Sequence, residues 1–124
     1  MNTKVLYDMS YGVYFAATLD GDKKVGCVAN TAFQITAEPV RIGVSVNKNN
    51  YTEDCIRKSG YFTLTIASEE TPIEVIGKFG FYSARDIDKF ENVAFKTTDG
   101  GYPVIDEKCC SYLLCKVEAE VDCD

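Results

Sequence analysis

The residues best suited to chemistry lie in one polar run, Asn47, Lys48, Asn49 and Asn50, with Thr52 just beyond it. Thr52 reads as a helix N-cap, with Glu53 and Asp54 in the first turn and Ser59-Gly60 as the stop. An amide-rich loop with one lysine, running into a helix N-terminus, suits a phosphate. The first N–H groups of a helix lack intrahelical partners, and the helix dipole favours negative charge there. The plainer reading is a solvated turn, since asparagine tolerates left-handed backbone. Arg85 and Lys89 form a local basic pair in an acidic chain, and Phe79 and Phe81 suit either a core or a ring-stacking role.

What the chain lacks narrows the chemistry further. Among its 124 residues there is no histidine. That removes Ser–His and Cys–His pairs and every imidazole metal ligand. The hard chemical step therefore falls to a cofactor, and neither a catalytic side chain nor a metal site is expected. A net charge of −6 argues against nucleic-acid binding, which needs a basic field. There is no GxGxxG and no GxxxxGK[ST], so neither dinucleotide nor P-loop fingerprint is present. The six cysteines include no CxxC pair, so zinc knuckles, rubredoxin-type iron sites and thioredoxin motifs lack their spacing. Cys27 and Cys115 sit in apolar runs, where a free thiol behaves as a small hydrophobe. The opening MNTKVLYDMS shows no basic-then-apolar signal peptide, and no apolar run approaches the ~20 residues of a transmembrane helix. Reduced thiols in a cytoplasmic protein, with no membrane partner, are the expectation.

The elements that must position these residues read mainly as strands. Residues 11–18 (YGVYFAAT) are aromatic and β-branched, and Asp20-Gly21 then signals a hairpin returning over residues 25–30. Residues 31–36 extend the ribbon until Glu38-Pro39 breaks it, and residues 40–46 (VRIGVSV) alternate cleanly. After the helix that begins near Thr52, residues 61–67 (YFTLTIA) form the next strand. Thr71-Pro72-Ile73-Glu74 reads as a capping box opening a helix to about Phe79, and residues 80–90 read as irregular. Short strands at 93–97 and 104–106 flank the Asp99-Gly100-Gly101 turn, and residues 111–121 end the chain as a long strand. Strands joined by hairpins, with only two short helices, predict a mainly β fold: an antiparallel split β-barrel of Greek-key type, in a single domain over 1–124.

The order Gly26…Ala29-Asn30-Thr31…Pro39…Val44-Ser45-Val46-Asn47…Thr52…Gly60-Tyr61-Phe62 resembles the flavin reductase-like family of FMN-binding split β-barrels. Gly77-Lys78-Phe79-Gly80 and Arg85-Asp86-Ile87-Asp88-Lys89-Phe90 resemble the forms found in anaerobe flavin reductases and in flavin domains fused to rubredoxin. The resemblance implies non-covalent FMN, with Ala29, Asn30, Thr31, Ser45 and Val46 along the isoalloxazine. It places Asn47, Lys48, Asn49, Asn50 and Thr52 at the phosphate. Phe79 would stack, and Arg85 and Lys89 would meet a phosphate or the nicotinamide. It further implies electron transfer from NADH or NADPH through FMN to free flavin or a redox protein, and a homodimer closing the flavin site. Family members usually add a strand after the position of Asp124, so an open barrel edge is also expected. The rivals are a flavin-binding or electron-carrier module without nicotinamide turnover, and a split barrel that binds no flavin.

Overall fold

A computed structural model describes residues 2–123. A 3-10 helix over Thr3–Asp8 precedes eight strands and two α-helices. In chain order these are β1 (Tyr14–Asp20), β2 (Lys23–Ala29), β3 (Thr31–Ala37), β4 (Val40–Ser45), α1 (Tyr51–Ser59), β5 (Tyr61–Ile66), α2 (Ile73–Phe81), β6 (Phe95–Thr97), β7 (Pro103–Ile105) and β8 (Ser111–Lys116). The main sheet has the order β2-β1-β5-β8, antiparallel throughout. β3–β4 and β6–β7 are separate two-stranded ribbons. After β2 the chain makes the β3–β4 ribbon and α1 before returning beside β1 as β5, a long return of the Greek-key kind. The expected mainly β, antiparallel split-barrel class with short helices is the class observed.

Strand alternation decides which helix covers which face. Phe15 and Ala17 point to one face, where they meet Val75 and Phe79 of α2 together with Phe90, Val93 and Ile105. Ala16 points to the other, where it meets Cys27, Leu64 and Ile56 of α1, with Ala32, Ile42 and Val44 of the ribbon packed alongside. Each face of β1 is thus closed by a different helix. Thr18, fully buried, donates its hydroxyl to the Tyr61 carbonyl at 2.7 Å and lies 2.9 Å from Ser59 Oγ, fastening the end of α1 to the sheet.

Several local expectations shift. The N-cap of α1 is Asn50, not Thr52: its side chain accepts from Thr52 N–H, so the helix starts one residue before Thr52. Gly60 ends it in the left-handed conformation at φ 81°, as the Ser59-Gly60 stop requires. Thr71 does not cap α2. Its hydroxyl accepts from Ser68 N–H at 3.0 Å and lies 3.3 Å from the Lys108 carbonyl, so Pro72 leads the helix without a side-chain cap. α2 runs on to Phe81, past the expected end near Phe79. β1 opens at Tyr14 rather than at residue 11, and β8 stops at Lys116 rather than at 121. Among the described residues, no helix is long and apolar enough to cross a membrane.

Candidate functional site

Two clusters of the expected residues come together at the β3–β4 ribbon and the start of α1. Thr31 and Ser45 are register partners, so their side chains share one face of the ribbon, and both are exposed. Phe33 continues that face. It is paired with Gly43, where an added Cβ would come within 2.8 Å of its ring. Glycine thus lets an exposed aromatic ring lie down on the strand, next to a pair of hydroxyls. Asn30 stands at the ribbon's entrance, its carbonyl accepting from Gly12 N–H at 3.0 Å. Two hydroxyls and one exposed aromatic ring thus share a face of the ribbon, a set that suits a planar heteroaromatic ring.

β4 leads directly into the turn at 47–50. Asn47 Oδ1 accepts from Asn49 N–H at 2.9 Å and the Asn47 carbonyl from Asn50 N–H at 2.9 Å, so this residue folds the turn rather than facing a ligand. Asn50 Oδ1 accepts from Thr52 N–H at 2.8 Å. The cap takes the Thr52 N–H and, as at any helix start, leaves those of Tyr51 and Glu53 without intrahelical partners. Lys48 pairs with Asp122 at 3.4 Å, and Arg57 pairs with Glu53, Asp54 and Glu120, so the acidic C-terminal segment runs along α1.

Arg85 joins this end through Tyr51. Its guanidinium lies 4.9 Å from the Tyr51 ring centroid, and Lys23 Nζ lies 5.7 Å from the same ring. Tyr51 also donates its hydroxyl to Asp20, and this bond, ahead of burial, pushes the phenol up to about 12. Beneath lies a small apolar cluster of Val25, Cys55 and Ala84. Ala84 is what seats its neighbour Arg85 beside the start of α1.

Five expected site residues are placed elsewhere. Phe79 is 1% exposed, with edge-on contacts to Phe15 and Phe90 at 5.5 and 5.2 Å, so its ring is core and unavailable for stacking. Lys89 is 2% exposed and donates to the Gly26 and Phe79 carbonyls at 2.8 and 2.9 Å, so its ammonium faces inward. Thr52 is fully buried; its N–H is taken by Asn50, and its hydroxyl has no hydrogen-bond partner among the described residues. Val46 is half-buried, its side chain packed against the α1-side core. Ala29 is buried at the end of β2, opposite Tyr14. Phe33 and Tyr51 were missed. The glycine facing Phe33 across the ribbon was the only hint of the first, and nothing local in the sequence marked the second.

These residues fit a ligand with an anionic end and a planar end. The uncapped N–H groups and Arg85 form a donor set for the anion, and the Thr31–Ser45–Phe33 face suits a ring. Residues 6–124 match the flavin reductase like domain family. The chain is 39% identical over 122 residues to the high molecular weight rubredoxin of Moorella thermoacetica, covering 98% of this chain and 53% of that protein. It is 37% identical over 122 residues to the ferric-chelate reductase (NAD(P)H) of Archaeoglobus fulgidus, covering 98% of this chain and 72% of that protein. It therefore spans about half the length of the first relative and most of the second. Flavoredoxin from Methanosarcina acetivorans shares the fold, with a TM-score of 0.81 at 22% identity over 90% of this chain and 60% of that one. The chain, with its polar-edged ribbon face and the start of α1 side by side, belongs to the flavin reductase like domain family.

Proposed function

We propose that this chain is a flavin domain that binds FMN non-covalently over residues 1–124 and acts as an NAD(P)H-dependent oxidoreductase, passing electrons to free flavin or to a protein acceptor. The observation that carries this reading is the convergence at one end of α1: the 47–50 turn, the Asn50-capped helix start, and Arg85 held over Tyr51. Bound FMN supplies the electron chemistry with the nicotinamide. The chain's own residues do the rest. The Tyr51 and Glu53 N–H groups and Arg85 hold the phosphate. Asn30, Thr31 and Ser45 offer donors and acceptors to the polar edge of the ring, and Phe33 covers its apolar part. A redox protein as acceptor is supported by a relative that is itself named a rubredoxin.

The phosphate assignment is tested by comparing FMN with riboflavin, which has the same ring and no phosphate. Arg85→Ala is expected to weaken FMN about tenfold, the size of one charge-assisted hydrogen bond. Riboflavin should be unaffected. Lys48→Ala should cost FMN less, about threefold, because Lys48 already holds the Asp122 carboxylate and merely exchanges one anion for another. Equal losses for both flavins would sink the assignment. Turnover is decided separately, by mixing the FMN-loaded protein with NADH and with NADPH under anaerobic conditions. Bleaching of the flavin absorbance is expected; an unbleached yellow protein would point to a carrier that does not use nicotinamide.

A homodimer is the assembly that suits this surface. Phe33, Ile35 and Val40 on the ribbon and Tyr112, Leu113 and Leu114 on β8 are all at least 42% exposed, large apolar side chains that a partner would cover. A second copy would also shield the ring from solvent. Light scattering of the FMN-loaded protein at micromolar concentration should give twice the chain mass, and a flavin-loaded monomer would refute it.

A further inference from the structure

Lys89 is a buried charge that meets no carboxylate among the described residues. Its two acceptors are neutral backbone carbonyls, those of Gly26 on β2 and Phe79 on α2. Burial holds its amine below the usual lysine range, the nearby Cys27 opposing that shift. A methionine would fill such a space at lower desolvation cost, so packing alone does not explain an ammonium here.

The position of the two carbonyls supplies a reason. β2 is an edge of the main sheet, paired only with β1, and its outer side carries unpaired backbone groups. Residues 82–90 run from the end of α2, on one face of the sheet, past that edge to Ala84, which packs with α1 on the other face. Two lysines tie this segment to β2. Lys89 donates to the Gly26 carbonyl, and Lys23 donates to the Ala84 carbonyl at 2.6 Å. Arg85 lies between these two ties, exposed, with its guanidinium over Tyr51. Among the described residues it makes no ion pair of its own.

We propose that Lys89 is a positioning residue: its ammonium pegs residues 82–90 across the edge of β2 and so holds Arg85 at the N-terminal turn of α1, where the anionic end of the ligand binds. The ligand half of this proposal rests on the phosphate reading above; the peg itself does not. Residues 83–88 also make local turn bonds, Asp86 and Ile87 donating to the Ser83 carbonyl, so the segment keeps its own shape when a tie is cut. What the ties fix is its placement against β2 and α1.

The test has two arms on the full chain. In the first, ligand-free protein is exposed to trypsin and cleavage after Arg85 is followed by mass spectrometry. Lys89→Met should accelerate that cut by about tenfold or more, because a released segment opens locally without global unfolding. Unchanged cleavage in a folded Lys89→Met protein would overturn the peg. In the second, FMN and riboflavin are titrated against wild type, Lys89→Met, Arg85→Ala and the double variant. Lys89→Met should weaken FMN by about three- to tenfold while leaving riboflavin alone, and should add nothing once Arg85 is gone, as expected of residues acting as one unit. The same FMN loss with and without Arg85 would show Lys89 to be merely structural and overturn the proposal. Arg85→Ala leaving FMN untouched would overturn the phosphate reading, and the cleavage arm would still judge the peg by itself. Should Lys89→Met fail to fold, Lys23→Met cuts the second tie from the surface. It should reproduce faster cleavage and Arg85-dependent FMN loss, and wild-type behaviour in both arms would overturn the proposal.

Discussion

Replacing Phe79 by alanine is expected to cost about 3–5 kcal/mol of folding stability, a large part of what a domain of this size possesses. The ring is fully enclosed, with Phe15 and Phe90 edge-on to it. It also lies against Gly26 on β2, where an added Cβ would meet ring carbons at 3.0 and 3.2 Å. α2 is therefore seated on the sheet by one aromatic ring over a position without a side chain. Urea unfolding of the variant should show the loss as a lower midpoint. Gly26→Ala gives a second check: it should be destabilising in the wild type, where the ring must give way, and much milder in the Phe79→Ala background, where the space is empty. Additive costs in that pair would mean the ring does not lean on Gly26.

Cys27 is expected to resist thiol reagents at pH 8 by far more than burial of a neutral group would suggest. All six cysteines are free thiols, with Cys27 and Cys55 buried and Cys110 and Cys123 exposed. Burial pushes the Cys27 thiol up to about 11, against the opposing pull of the Lys89 charge and the Thr52 hydroxyl nearby. The thiolate is the reactive form, so at pH 8 ionisation alone slows Cys27 by about a hundredfold relative to a thiol at 9.0. Mass mapping after brief alkylation should find Cys110 and Cys123 labelled and Cys27 bare until denaturant is added. Prompt labelling of native Cys27 would contradict its placement. The same shift has a consequence for alkaline stability. A thiol raised from 9.0 to about 11 on folding, as for Cys27 and Cys115, keeps its proton in the folded state after the unfolded chain has lost it. Its contribution is complete below pH 9 and disappears as pH rises through 11. Lys89, lowered on folding, works the other way, gaining stability as pH approaches the free-lysine value. With two strongly raised thiols against one amine, stability should fall between pH 9 and 11, and Cys27→Ala should flatten that fall.

Local patterns in the sequence were enough to find the strands. Alternation over residues 40–46 marked β4 because Ile42 and Val44 face the core, while β5 alternates threonines with Phe62, Leu64 and Ile66 even though residues 63–65 are all buried. Asp20-Gly21 marked the first hairpin because Gly21 takes φ 61° there. The turn at 47–50 was legible as a helix entrance, yet the cap was assigned two residues late. Asn50 and Thr52 are both good caps, and only the burial of Thr52 under α1 decides between them. Thr71 misled for a related reason: a hydroxyl that could cap α2 is drawn instead to Ser68 and Lys108, the latter 37 residues away. Lys89 shows the limit most plainly: its charge points to a phosphate or a nicotinamide, whereas its acceptors are carbonyls on an edge strand and a helix end, which no spacing in the sequence can reveal. Phe79 and Phe81 illustrate the same limit, since two aromatics two residues apart on α2 end in the core and in solvent.

The β3–β4 ribbon changes register at one point, between Gln34 and Thr36, leaving Ile35 opposite no residue. On the near side, Thr31 to Gln34 pair with Ser45 to Ile42; on the far side, Thr36 and Ala37 pair with Arg41 and Val40. A slip of one residue turns every side chain of a strand to its other face. Here a slip starting at the ribbon tip meets a bulge before it reaches Thr31 and Ser45. The bulge thus stands between the tip at Glu38-Pro39 and the polar pair, so a change of pairing at the tip is absorbed before it can turn the hydroxyls at the other end.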